Sequence, residues 1–116
     1  MRLAIIGSRS VCECDLEAYL PKGVTEIVSG GARGVDQLAA IYAREHNIPL
    51  VEFFPDYAHY GKGGPLKRNQ QIAEYAEEAL AFWDGKSRGT AHTMDLFRRL
   101  GKPVTVILIE RKKQEG

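Results

Sequence analysis

Ser29-Gly30-Gly31-Ala32-Arg33-Gly34-Val35-Asp36 joins a short run, residues 26–28, to an amphipathic segment. Three glycines within five residues let the backbone turn sharply and approach a ligand with no Cβ in the way. In the segment that follows, Val35, Leu38, Ala39 and Tyr42 recur at i, i+3, i+4 and i+7, one face of a helix. A helix that opens here leaves its first-turn amides unpaired, and its dipole adds partial positive charge. Arg33 adds a full charge. A strand, a glycine turn with a cation and a helix N-terminus make a phosphate cradle in physical terms. They equally make a strand-to-helix turn that needs glycine for geometry alone. The stretch is neither GxGxxG nor GxxxxGK followed by Ser or Thr, so neither the dinucleotide nor the P-loop fingerprint applies.

Outward from this turn, strands and helices alternate. Residues 2–6 form a continuous apolar run with two isoleucines, short enough to be a strand buried on both faces. Gly7-Ser8-Arg9-Ser10 follows as a tight turn, and Asp15 caps a short helix that Pro21 and Gly23 end. Residues 25–28 predict the second strand, 50–54 the third, 79–83 the fourth and 104–109 the fifth. Residues 55–65 read as a long loop, and loops of that length in a compact domain are functional or mobile. Lys67, Arg68 and Asn69 open the third helix, whose inner face is Ile72, Ala73 and Ala76. Gly85-Lys86-Ser87-Arg88-Gly89-Thr90 is a second glycine turn, and the helix after it turns Thr93, Leu96, Phe97 and Leu100 inward. The expected architecture is a three-layer α/β Rossmann-like fold. It has a five-stranded parallel sheet with helices on both faces and strand order 3-2-1-4-5. Residues 1–110 make one domain and 111–116 a polar tail that frays.

Bulk properties agree. A chain of 116 residues suits one core, and 44% apolar residues can fill it. The net charge of +1 argues against a surface devoted to duplex nucleic acid. No apolar run approaches the roughly 20 residues that span a bilayer, so no membrane partner is expected. Only Leu3 to Ile6 precede Gly7 as an apolar stretch, too short for a signal peptide core, and a cytoplasmic location is expected. Two cysteines, Cys12 and Cys14, exclude a disulfide framework by count. They read as reduced thiols in a loop, and no metal site is expected.

In a parallel sheet of this kind, ligands bind beyond the C-terminal ends of the strands. Residues 7–10, 29–36, 56–69 and 84–90 fall at that edge. They carry seven cations (Arg9, Arg33, Lys62, Lys67, Arg68, Lys86 and Arg88) against only Asp36, Asp56 and Asp84. A nearly neutral molecule thus concentrates positive charge on one rim, as a phosphate site would. Tyr57, His59 and Tyr60 in the long loop offer rings that can stack on a base, or that pack the loop onto the sheet. Asp84 can accept from ribose hydroxyls or cap the turn after it. Trp83 reads as core or lid packing, and His46 and His92 as surface or core residues.

The blocks IIGSR (5–9), VSGGARGVDQLAAIYA (28–43), FFPDYAHYGKGGPLKRNQQI (53–72) and AFWDGKSRGTAHTM (81–94) together resemble the SLOG superfamily of Rossmann-like domains. They are most similar to its small stand-alone branch related to YpsA and YspA, and the resemblance covers residues 2–109. It implies binding of a nucleotide or nucleotide derivative, ADP-ribose-like molecules included, in many members as a ligand sensor of bacterial and phage conflict systems. The family's binding positions fall on Gly7, Ser8, Arg9, Gly30, Gly31, Arg33, Gly34, Asp36, Lys62, Arg68, Asn69, Asp84, Lys86, Ser87, Gly89 and Thr90. A sister branch, the cytokinin-activating phosphoribohydrolases, carries PGGxGTxxE with a catalytic glutamate. Here Gly89-Thr90-Ala91-His92-Thr93 has no carboxylate until Asp95.

The leading expectation is therefore a nucleotide binder that requires no cofactor. Arg33 and the amides of the 30–34 turn hold one phosphate. Lys86, Ser87 and Thr90 hold another beside Arg88, with Arg9 between, and Tyr57 or Tyr60 covers the base. The alternative is a nucleotide N-glycosidic hydrolase using Asp84 or Asp36. A single-stranded nucleic-acid binder, as another relative, the DNA processing protein A, would suggest, ranks below both. A homodimer or higher homo-oligomer is expected.

Overall fold

In the structure, a computed structural model describing residues 1–11 and 13–109, the first strand sits at the centre. β1 (Arg2–Gly7) is flanked by β2 (Glu26–Ser29) and β4 (Glu78–Trp83). β3 (Leu50–Glu52) lies outside β2, and β5 (Val104–Leu108) outside β4. The order is β3-β2-β1-β4-β5, every pair parallel, which is the expected five-stranded sheet.

Side chains alternate across a strand, so β1 feeds two cores at once. Leu3 and Ile5 join Ile27, Leu80 and Phe82 under α2 (Val35–Glu45), which inserts Val35, Ala39 and Ala43. The short α1 (Leu16–Tyr19), capped by Asp15 Oδ1 accepting from the Ala18 amide at 3.2 Å, adds Leu16 to this layer. Ala4 and Ile6 join Val28, Ala79 and Ala81 on the other face. There α4 (Gly64–Tyr75) and α5 (Arg88–Arg99) bury Ile72, Ala73, Met94 and Phe97. The alanines of that face let two helices approach the sheet closely, and Phe97 fills the remaining space.

Three expectations change. Residues 55–65 are largely helical: α3 (Tyr57–Tyr60) and a single 3₁₀ turn (Gly61–Gly63) lead directly into α4. Asp56 caps α3 by accepting from the His59 amide at 3.0 Å, and Pro65 sits in the first turn of α4, where its missing N–H costs nothing. β3 stops at Glu52, two residues early, and Phe54 is exposed. Leu100 is 51% exposed because α5 ends at Arg99 and Gly101 turns the chain at φ 70°; Met94 takes the core position instead. The expected polar tail, residues 111–116, lies outside the described residues, as does Cys12. Cys14 is a free thiol.

β1 pairs with β2 on one side and β4 on the other, so the connection reverses between β1 and β4. A crevice opens there, beyond the strand ends. The site is built around it.

Candidate functional site

The turn after β1 is pressed against its neighbours. A Cβ on Gly7 would lie 2.5 Å from the Phe82 carbonyl oxygen. Gly34, at φ 71°, has no room either: its Cβ would be 2.5 Å from the Ser8 carbonyl oxygen. Ser8 is buried, donates its amide to Phe82 O at 3.1 Å and accepts the Asp84 amide on Oγ at 3.3 Å. Gly7, Ser8 and Gly34 thus lock the ends of β1 and β4 against the start of α2 and fix where Arg9 emerges.

The glycine turn after β2 uses two of its amides internally. Gly31 N donates to Ser29 Oγ at 3.4 Å and Ala32 N to Asp36 Oδ2 at 3.1 Å. Its outward group is a carbonyl: Gly30 O accepts from Arg68 Nη1 at 2.6 Å. Arg68 comes from α4 and is only 8% exposed; its Nε donates to Asn69 Oδ1 at 2.9 Å. Gly30 is a glycine because of this arginine, since a Cβ would sit 2.7 Å from Nη1. Burial lowers the Arg68 pKa, partly offset by the facing Asp36 carboxylate. Burial raises that of Asp36, against the pull of the Ala32 amide and Arg68.

The turn after β4 is built differently. Asp84 Oδ1 accepts from the amides of Lys86 at 2.9 Å and Ser87 at 2.8 Å, and Trp83 Nε1 donates to Ser87 O at 3.0 Å. Of the two roles open to Asp84, the turn cap is the one formed here. Ser87 occupies the N-cap of α5, but its side chain does not cap the helix; its Oγ lies 3.2 Å from Thr90 Oγ1. The first-turn amides of α5 are therefore left to another acceptor. Gly89 stands in that turn, and a Cβ there would meet nothing within 4 Å.

Two adjoining cavities occupy the crevice. The first, about 150 Å³, is lined by Gly7, Arg9, Gly30, Asp36, Arg68, Asn69, Ser87, Gly89 and Thr90, with Ile6, Ala32, Pro65, Leu66, Ile72 and Thr93. The second, about 730 Å³, shares Arg9, Gly30, Ala32 and Arg68 and continues past Gly31 and Arg33 to Pro55 and Tyr57. Most of the sequence-derived candidates converge on this pair. Lys62, Lys86, Arg88 and Tyr60 do not line either cavity. Lys62 sits in the 3₁₀ turn, Lys86 and Arg88 are exposed, and Tyr60 lies under Lys67, whose Nζ is 5.8 Å from the ring centre. Ser8, Gly34 and Asp84 shape the walls from behind.

Two residues at the site are not among the binding candidates. Thr93 lines the first cavity, and its Oγ1 donates to Gly89 O at 3.0 Å. A threonine among aliphatic positions on an inward helix face was the signal available. His92 Nδ1 lies 3.3 Å from Asn69 Nδ2, a contact between α5 and α4 that sequence spacing does not encode. Among the described residues no group of three or more His, Cys, Asp or Glu side chains could hold a metal ion. No helix there is long and apolar enough to cross a membrane.

Comparison with known proteins places these features. The family model for the YspA, cpYpsA-related SLOG family (YAcAr) matches residues 1–60, which hold β1, the glycine turn and α2. The chain is 33% identical to the gene 61 protein of Mycobacterium phage D29 over 84 residues, 67% of each chain. No solved structure matches significantly. Because that family model spans more than half of the chain, the chain belongs to the YspA, cpYpsA-related SLOG family.

Proposed function

We propose that the protein binds a nucleotide or nucleotide derivative, AMP-like or ADP-ribose-like, in a sensing role. A phosphate sits against the first turn of α5, beside the Ser87 and Thr90 hydroxyls, with Arg9 and Arg68 facing it. The nucleoside extends into the larger cavity toward Arg33 and Tyr57. One observation carries this reading: an uncapped helix start and two arginines from separate elements line the same cavity. The first glycine turn acts as a wall and as an anchor for Arg68 in place of a second amide cradle, because its Gly31 and Ala32 amides are already paired.

Thermal shift and calorimetry with AMP, ADP-ribose and NAD test it. A ligand at 100 times its dissociation constant stabilises the fold by about 2.7 kcal/mol. Absence of any response, in protein shown to be folded, rejects the reading.

A second reading, N-glycosidic hydrolysis, draws support from Asp36. Its carboxyl lines the cavity and holds its proton more tightly than usual, as a general acid toward a departing base requires. Release of free base from nucleoside monophosphates, abolished in Asp36→Asn, would establish it; no released base removes it.

A further inference from the structure

We propose that His92, neutral and protonated on Nε2, is a positioning residue for Arg68 in the nucleotide cavity. The functional consequence rests on the nucleotide reading above; the geometry does not. A guanidinium only donates, so Arg68 Nε, 2.9 Å from Asn69 Oδ1, fixes which way the Asn69 amide points. Asn69 Nδ2 is then turned to His92 Nδ1 at 3.3 Å, and it too only donates. His92 Nδ1 must accept, which places the ring proton on Nε2.

The three side chains form a one-way chain: Arg68 to Asn69 to His92. Asn69 is 7% exposed, and it bonds Arg68 through Oδ1 and His92 through Nδ2. A proton on Nδ1 would set N–H against N–H. Rotating the Asn69 amide to answer it would turn Nδ2 onto Arg68 Nε, again donor against donor. In the first case Asn69 loses the partner that holds its amide in place; in the second the guanidinium loses Asn69 Oδ1 and keeps only Gly30 O.

The charged groups around His92 are few. From α4 comes Arg68, through Asn69, with Asp36 of α2 beyond it. On α5 itself, Arg88 and Asp95 lie one turn to either side, and Asp95 is paired with Arg99 at 2.9 Å. The strands below present the apolar Ile6 and Ala81 to this face. His92 therefore acts on the cavity through its acceptor role rather than by a direct charge on the ligand.

The test uses the full chain, ¹⁵N-labelled, with ADP-ribose as probe. Long-range ¹H–¹⁵N spectra at about pH 8 should show His92 bare at Nδ1, and the Arg68 Nε proton protected from exchange. His92→Phe removes the acceptor and should expose that proton and weaken ADP-ribose about fivefold. His92→Gln keeps an acceptor and should restore both the protection and the affinity of the wild type. A proton on Nδ1, or a His92→Gln variant as weak as His92→Phe, overturns the proposal. If ADP-ribose binds no variant, the ligand reading fails with that probe, and the His92 and Arg68 signals alone uphold or overturn the positioning role.

Discussion

Gly30 and Arg68 should behave as one unit, and a double-mutant cycle measures it. In Gly30→Ala the new methyl would stand 2.7 Å from Arg68 Nη1 and 3.0 Å from Asp36 Oδ2. Overpacking of this kind costs about 1–3 kcal/mol, and the 2.6 Å bond from Nη1 to Gly30 O is strained as well, so a loss of about 3 kcal/mol is expected. Arg68→Met removes two hydrogen bonds from a buried cation, each worth about 1.5–3 kcal/mol. Relief of the guanidinium's own desolvation offsets part of this, leaving about 2–3 kcal/mol. Were the sites independent, the double variant would lose about 5–6 kcal/mol. Once the guanidinium is gone, however, the methyl has room, so the double should lose only about 3–4 kcal/mol. The coupling is then about 2 kcal/mol. A domain of this size holds about 5–15 kcal/mol, so both single variants stay folded. Urea denaturation followed by the fluorescence of Trp83, the chain's single tryptophan, reads all four corners. Additivity within about 0.5 kcal/mol would refute the claim that Gly30 is a glycine to admit Arg68.

Two further predictions separate ligand binding from folding. Gly89→Ala places a methyl where the protein has open space, in the first turn of α5, so stability should hold or rise by up to about 1 kcal/mol while nucleotide affinity drops; equal loss of both would show that the space serves packing. Asp36 has its pKa raised by burial, so the folded chain holds that proton more tightly than the unfolded one. Its contribution is complete below the ordinary value of 3.8 and is lost as pH rises through the raised folded value. Stability measured from acid to neutral pH should therefore fall more for the wild type than for Asp36→Asn, which still offers Ala32 an acceptor. Parallel curves would contradict this.

How much was legible beforehand follows from the range of each interaction. Hydrophobic period is local, and it marked the five strands and the faces of α2 and α4. It misjudged residues 55–65 because Gly61, Gly63, Gly64 and Pro65 signal a loop, whereas Asp56 and Pro65 were helix-opening residues. Glycine spacing marked both turns correctly as backbone devices. It could not say which amides those turns would consume themselves: Ser29 and Asp36 lie within the same eight residues and claim them. Counting cations gave the rim its sign but grouped Lys62, Lys86 and Arg88 with Arg9 and Arg68, because charge counts carry no direction.

The sequence by itself determined the alternation of strand and helix, the parallel sheet and the edge at which charge collects. These depend on periodicity and on the handedness of crossovers, which any stretch of chain expresses without its distant neighbours. Tertiary structure alone decided that Arg68 reaches back to Gly30 and that Asn69 hands its amide to His92. Those contacts join residues 38 and 23 positions apart, and hydrogen bonds form between atoms that packing brings within about 3 Å, whatever lies between them in sequence.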